Sequence, residues 1–116
     1  VYLGLYSITP QCEKALDYYE DFPDLYKKIY VDKRILGKDL RIMIYLMSKK
    51  YKYSVPTIRY FNAINKGYDV WKLNKDFLYN SAFHSIKNNN KNEGYLSKNW
   101  QEKTYIDNLY IKNIKD

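Results

Sequence analysis

The sequence predicts an α+β domain, and three observations carry that expectation. Two adjacent stretches around Leu36-Gly37 alternate apolar and polar residues; apolar residues recur at helical spacing before and after that pair; and 116 residues suffice for one core but not two. The elements follow in order. Val1 to Ile8 (VYLGLYSI) is a short apolar and aromatic run with the character of a strand, in which Gly4 allows close backbone approach. Thr9-Pro10 then supplies an N-cap and a proline in the first helical turn, predicting a helix from Pro10 to about Glu20. Its buried stripe is Cys12, Ala15, Leu16 and Tyr19, with Glu13 and Asp17 well away from it.

Pro23 and Asp24 end that helix. Lys27 to Ile35 then sets Ile29, Val31 and Ile35 against Lys28, Tyr30, Asp32 and Arg34, the pattern of a strand. Leu36-Gly37-Lys38-Asp39 reads as a hairpin turn, and Leu40, Ile42, Ile44 and Leu46 alternate with Arg41, Met43, Tyr45 and Met47 in the return strand. A polar loop from Ser48 to Tyr53 leads to a helix opened by Ser54 and Pro56, with Ile58, Phe61, Ile64 and Tyr68 as its stripe and Gly67 as its stop. A further helix is expected from about Lys75 to Ile86, capped by Asn74, with Phe77, Leu78 and Ala82 inward. This organisation predicts one domain over residues 1–86. Residues 87–116 form a polar, asparagine-rich linker and a C-terminal extension, whose apolar residues Tyr105, Ile106, Leu109, Tyr110 and Ile114 fit either a helix or a strand docking back.

The formal charge of +7 raises nucleic acid as a partner, with tyrosines to stack on bases and lysines to neutralise phosphate. The excess is nearly all lysine, scattered along the chain, with Arg34, Arg41 and Arg59 the only arginines. That scatter, together with abundant Asn, Tyr and Ile, fits a biased composition better than a binding stripe. The 15 tyrosines predict a wet, aromatic-lined interior or groove, because a buried phenol needs a hydrogen-bond partner. Cys12 is the single cysteine and His84 the single histidine, which excludes an internal disulfide and the usual zinc spacings. No apolar run approaches membrane-spanning length, and no basic, apolar, small-residue signal opens the chain, so the expectation is a cytoplasmic protein. The start at Val1, directly on an apolar segment, suggests that an upstream piece is absent.

Glu20 is the residue that raises chemistry. It falls one turn after Leu16, at the edge of the apolar stripe and in the last helical turn, where the helix dipole disfavours a carboxylate. Partial desolvation acts in the same direction, upward in pKa, which suits a general acid and base. The alternative is that Glu13, Asp17 and Glu20 form one solvated acidic face, and spacing alone favours it.

"LDYYEDFPDLYKKIYV", then "RIMIYLM", then Pro56, Tyr60 and "INKGY" at Ile64 to Tyr68, resembles the gamma-glutamylcyclotransferase-like family in order and with compatible gaps from about Val1 to Ala82. The resemblance implies a small mixed, partly barrel-like β-sheet with flanking helices. It also implies an enzyme in which Glu20 is the catalytic acid and base, while Tyr26, Tyr45 and Tyr60 match positions that line the family's pocket. By their place in the sequence, Tyr26 and Tyr60 fit packing as well as function, and Tyr45 fits either a barrel interior or solvent. The implied reaction uses no cofactor and no metal: a γ-glutamyl amine closes on its own γ-carbonyl to give 5-oxoproline and release an amine. The family's Tyr-Gly-Ser loop after the first strand, whose amides hold the glutamyl carboxylate, does not occur in this chain; Gly4 aligns with a later strand. The second expectation is a non-catalytic binding protein on the same scaffold, a homodimer formed through an exposed sheet edge.

Overall fold

Apolar periodicity and turn chemistry build two separate units in the computed structural model, which describes residues 2–90 and 104–116. One unit is Gly4–Lys50; the other comprises Tyr51–Asp116 together with the first residues of the chain. Among the described residues the fold is α+β, with four helices and one two-stranded antiparallel sheet.

In the first unit, α1 spans Pro10–Tyr19. Thr9 caps it as expected, its side chain accepting from the Cys12 N–H at 3.2 Å, with Pro10 at the start of the first turn. A bend over Glu20–Leu25 delivers β1 (Tyr26–Ile35), which pairs with β2 (Lys38–Met47) over its whole length, from Tyr26 opposite Met47 to Ile35 opposite Lys38. The loop is therefore two residues, shorter than the four expected. Leu36 and Gly37 both have positive φ, 49° and 77°, as the primed hairpin turns require. Strand alternation puts Ile29, Val31, Ile35, Leu40, Ile42, Ile44 and Leu46 on one face, and Tyr26, Lys28, Tyr30, Met43, Tyr45 and Met47 on the other.

Two expectations fail in the first 20 residues. Tyr2–Ile8 forms no strand; Leu3 and Tyr6 are about two-thirds exposed, and no third strand lies among the described residues to pair with the segment. Instead the Tyr6 ring lies beside Gly4, where an added Cβ would stand 3.0 Å from it. Helix α1 is also rotated relative to its expected stripe. Cys12, Ala15 and Tyr19 are exposed, while Glu13, Leu16, Asp17 and Glu20 are the half-buried side. The reason is electrostatic, and lies in what β1 offers to that helix.

The second unit has an ordinary apolar core. Helix α2 (Ile58–Val70) is capped by Thr57 rather than Ser54, and it runs past Gly67 to Trp71. Helix α3 (Asp76–Lys87) follows, with the Asn74 side chain accepting from the Asp76 N–H at 2.7 Å. The C-terminal segment enters by an isolated bridge between Thr57 and Tyr105 and ends in helix α4 (Asn108–Lys115), capped by Asp107. Phe61, Leu78, Tyr79, Ala82, Ile106 and Ile111 are buried together, with Ile58, Ile64, Tyr68 and Ile114 packed around them. Leu78 and Ala82 point inward as expected, whereas Phe77 is about half exposed. Residues 91–103, most of the expected linker, lie outside the described residues.

Two outcomes test this description. Leu36, almost fully exposed, sits in a left-handed conformation that an Asn adopts at lower cost. Leu36→Asn should stabilise the chain by about 1 kcal/mol in denaturant melts; a loss of stability would mean the turn is of another type. Phe61→Ala should cost about 3–5 kcal/mol, read in the same melts.

Candidate active site

The half-buried side of α1 meets the polar face of the hairpin through one cation. Lys28 and Tyr45 are direct cross-strand partners, so their side chains stand side by side on the same face. The Lys28 ammonium lies 2.5 Å from Glu13 Oε1 and 2.7 Å from Asp17 Oδ1, and its side chain is only 12% exposed. The Tyr45 hydroxyl donates to the same Asp17 oxygen in a short hydrogen bond. The Phe22 ring closes the cluster, its centroid 4.7 Å from the Lys28 nitrogen, a cation–π contact.

These contacts set the protonation states. Hydrogen bonds from Lys28 and Tyr45 hold the Asp17 carboxyl below its ordinary value. The Asp17 and Glu13 carboxylates raise Lys28 well above its ordinary value. Burial, reinforced by the hydrogen bond to Asp17, pushes the Tyr45 phenol up to about 12. The cluster is thus ionised at Lys28 and Asp17 and neutral at Tyr45 throughout the neutral range.

Glu20 occupies the C-cap of α1, its N–H donating to the Leu16 carbonyl at 2.8 Å. With Glu13 and Asp17 it follows a four-then-three spacing, placing all three acids on one helical side. They are not the solvated face that spacing alone favoured, for all three are half-buried. Glu20 differs from Asp17 in the sign of its perturbation: burial raises its carboxyl above the ordinary carboxylate value. Tyr26 opens β1 and is half-buried, on the same strand face as Lys28 and Tyr45. Three of the four residues singled out from sequence, Glu20, Tyr26 and Tyr45, therefore belong to one unit, on α1 and on the hairpin face that α1 meets. Tyr60 belongs to the other unit, in the first turn of α2, and is 57% exposed.

Lys28 and Asp17 are the residues that sequence reasoning missed. Their signal lies in the alternation itself: Lys28 shares the non-isoleucine side of the hairpin with Tyr45, and Glu13 and Asp17 stand one turn apart. In the second unit, the side-chain oxygen of Asn65 is buried without a hydrogen-bond partner among the described residues. Among the described residues no group of His, Cys, Asp or Glu is arranged to hold a metal ion, and no helix is long and apolar enough to cross a membrane.

No family model, curated protein or solved structure matches this chain. The likeness to gamma-glutamylcyclotransferase-like proteins therefore rests on the ordered sequence stretches alone.

The raised Tyr45 value carries a signed expectation. Folding favours the neutral phenol, so its contribution to stability is present below the ordinary phenol value of 10 and is lost as pH rises toward about 12. In an alkaline titration followed by phenolate absorbance, the difference between the native protein and Tyr45→Phe should show one tyrosine ionising near 12. A difference curve centred at the ordinary value would remove the Asp17 hydrogen bond from the site.

Proposed function

We propose that the chain is a gamma-glutamylcyclotransferase-type enzyme, with Glu20 as acid and base. The observation that carries this reading is the half-buried carboxylate of Glu20, raised by burial at the end of α1, immediately before a bend and a strand that opens on Tyr26. In the reaction, Glu20 takes a proton from the substrate's α-ammonium. The freed amine attacks the γ-carbonyl carbon and the new C–N bond closes a five-membered ring. The ring nitrogen then sheds its second proton as the original amide C–N bond breaks, and the departing amine leaves as an ammonium carrying both protons, relayed by Glu20 first one and then the other. The products are 5-oxoproline and an amine, with no oxidant, metal or cofactor in the balance. Because nucleophile and electrophile belong to one molecule, the gain lies in holding the γ-glutamyl group folded. Tyr26 and Tyr45 supply aromatic surface and phenols beside the acid-bearing helix, while Tyr60, in the other unit, is left without a role in this site. On the same reading the hairpin is part of a partly barrel-like mixed sheet, the substrate is a small γ-glutamyl compound, and the enzyme works in the cytoplasm.

A second reading is supported by a separate observation. In Gly4–Lys50 only Leu25 is fully buried, and Ile29, Ile35 and Leu46 on the apolar hairpin face are at least a third exposed. A two-stranded sheet with a partly covered apolar face, and with edges unpaired among the described residues, suits a binding or homodimerising module without turnover.

The test is the formation of 5-oxoproline from a panel of γ-glutamyl amino acids and amines, followed by mass spectrometry. Turnover is expected from the native chain, with loss of at least about a hundredfold in Glu20→Gln, the scale of a removed general base. Since Glu20 must be ionised to accept the proton, kcat/KM should fall on acidification, with a midpoint above the ordinary glutamate value of 4.5. Native-like turnover in Glu20→Gln ends the assignment of Glu20. No product from any substrate, with a dimer in sedimentation, selects the binding module.

A further inference from the structure

We propose that Lys28 is a positioning residue that fixes the Glu20 bend against the hairpin by gripping the chain on both sides of it; its catalytic meaning rests on the reading of Glu20 above. Asp17 precedes Glu20 by three residues and Phe22 follows it by two, and the Lys28 ammonium is in contact with both, at 2.7 Å from the carboxylate and 4.7 Å from the ring centroid. Glu13, one turn further back, accepts a second charge-assisted hydrogen bond at 2.5 Å. The grip comes from within a fully paired strand, since Lys28 is opposite Tyr45 and next to the Ile29–Ile44 pair. A rigid element therefore holds a bend.

Apolar packing offers little substitute. Helix α1 has no fully buried residue, and Leu16 is only half-buried. Two carboxylates, Glu13 and Asp17, face one ammonium, so without the cation they would repel each other in a partly desolvated place. The bend itself has local hydrogen bonds: Glu20 N–H to Leu16 at 2.8 Å, Phe22 N–H to Asp17 at 2.9 Å and Leu25 N–H to Asp21 at 2.8 Å. Losing Lys28 should loosen these first, because Asp17 and Phe22 are its partners, while the hairpin ladder keeps its own pairing.

Amide hydrogen exchange on the full chain tests this directly. In Lys28→Met the amides of Glu20 and Phe22 should exchange about tenfold faster, with those of paired hairpin residues and of α3 unchanged. Lys28→Arg, which keeps charge and donors, should restore protection. With a γ-glutamyl substrate, Lys28→Met should lower kcat more than it raises KM, since a misplaced base spoils the step rather than the encounter. Unchanged exchange at Glu20 and Phe22 overturns the proposal, and so does native kcat alongside faster exchange. Should Lys28→Met lose the hairpin as well, Asp17→Asn weakens the same contact from the helix side. The same selective rise is then expected, and unchanged exchange overturns the proposal. Absence of 5-oxoproline from the native chain sinks the enzyme reading and leaves the exchange result to decide the grip.

Discussion

One ammonium group between two carboxylates and two aromatic rings is the contact on which the N-terminal unit depends. Helix α1 lacks the fully buried apolar stripe that usually docks a helix. Its alignment on the hairpin instead comes from Lys28, with Tyr45 sharing the Asp17 carboxylate. An ion cluster of this kind is directional in a way that apolar packing is not, because removing one partner leaves a charge uncompensated in a partly dry place. It also has a pH window. The lowered Asp17 carboxyl contributes stability above its ordinary value of 3.8, lost as pH falls through its folded value; the raised Lys28 ammonium contributes stability below 10.5, lost as pH climbs through its own. Helix docking is therefore secured across the neutral range from both sides.

Different physics stabilises each of the two units. Tyr51–Asp116 has a conventional core, with Phe61 and Ile111 essentially without exposure and the C-terminal helix supplying part of that core. Its stability follows apolar area, and truncating a core side chain leaves a cavity. Gly4–Lys50 has a fully paired hairpin, a polar clamp and only Leu25 fully buried. Its hairpin register is secured by backbone pairing and by the two-residue turn, while its apolar face retains a third or more of its exposure at several positions.

What was legible in the sequence follows the same division. The Thr9 cap, the Pro10 start, the alternation through the hairpin and the stripe of Phe61 and Ile64 are local patterns, and local patterns determine local structure. The hairpin could be read because a period of two persists on both sides of Leu36-Gly37. The Val1–Ile8 segment could not, because apolar content states that a run prefers burial but says nothing about the presence of a pairing partner. Helix α1 was misread for a related reason. Apolar spacing pointed to Cys12, Ala15, Leu16 and Tyr19, of which only Leu16 is on the half-buried side, because a lysine in the facing strand outweighs the other three modest side chains in deciding which side turns inward. The candidate site was thus half visible: Glu20 stood out by its place at the helix end, whereas the Lys28–Asp17–Tyr45 cluster depends on a pairing register that composition does not reveal.

The contrast between Asp17 and Glu20 bears on how the site can work. The two carboxylates lie three residues apart on one side of the same helix, and their surroundings push their protonation in opposite directions. Asp17 is committed to its hydrogen-bond donors, so it is a poor proton acceptor and a good anchor. Glu20, raised by burial, keeps the proton affinity that a general base needs, since a carboxylate stabilised by several donors would surrender it. On the proposed reading, dividing the roles in this way lets one helix turn combine rigidity with reactivity. On the same reading, a general base at a helix end has the chain's direction change immediately beyond it, so its position depends on that bend being held still. The polar clamp, on that reading, supplies the hold without enclosing Glu20 in an apolar core, where full burial would push its carboxyl further up and away from the ionised form that a general base needs.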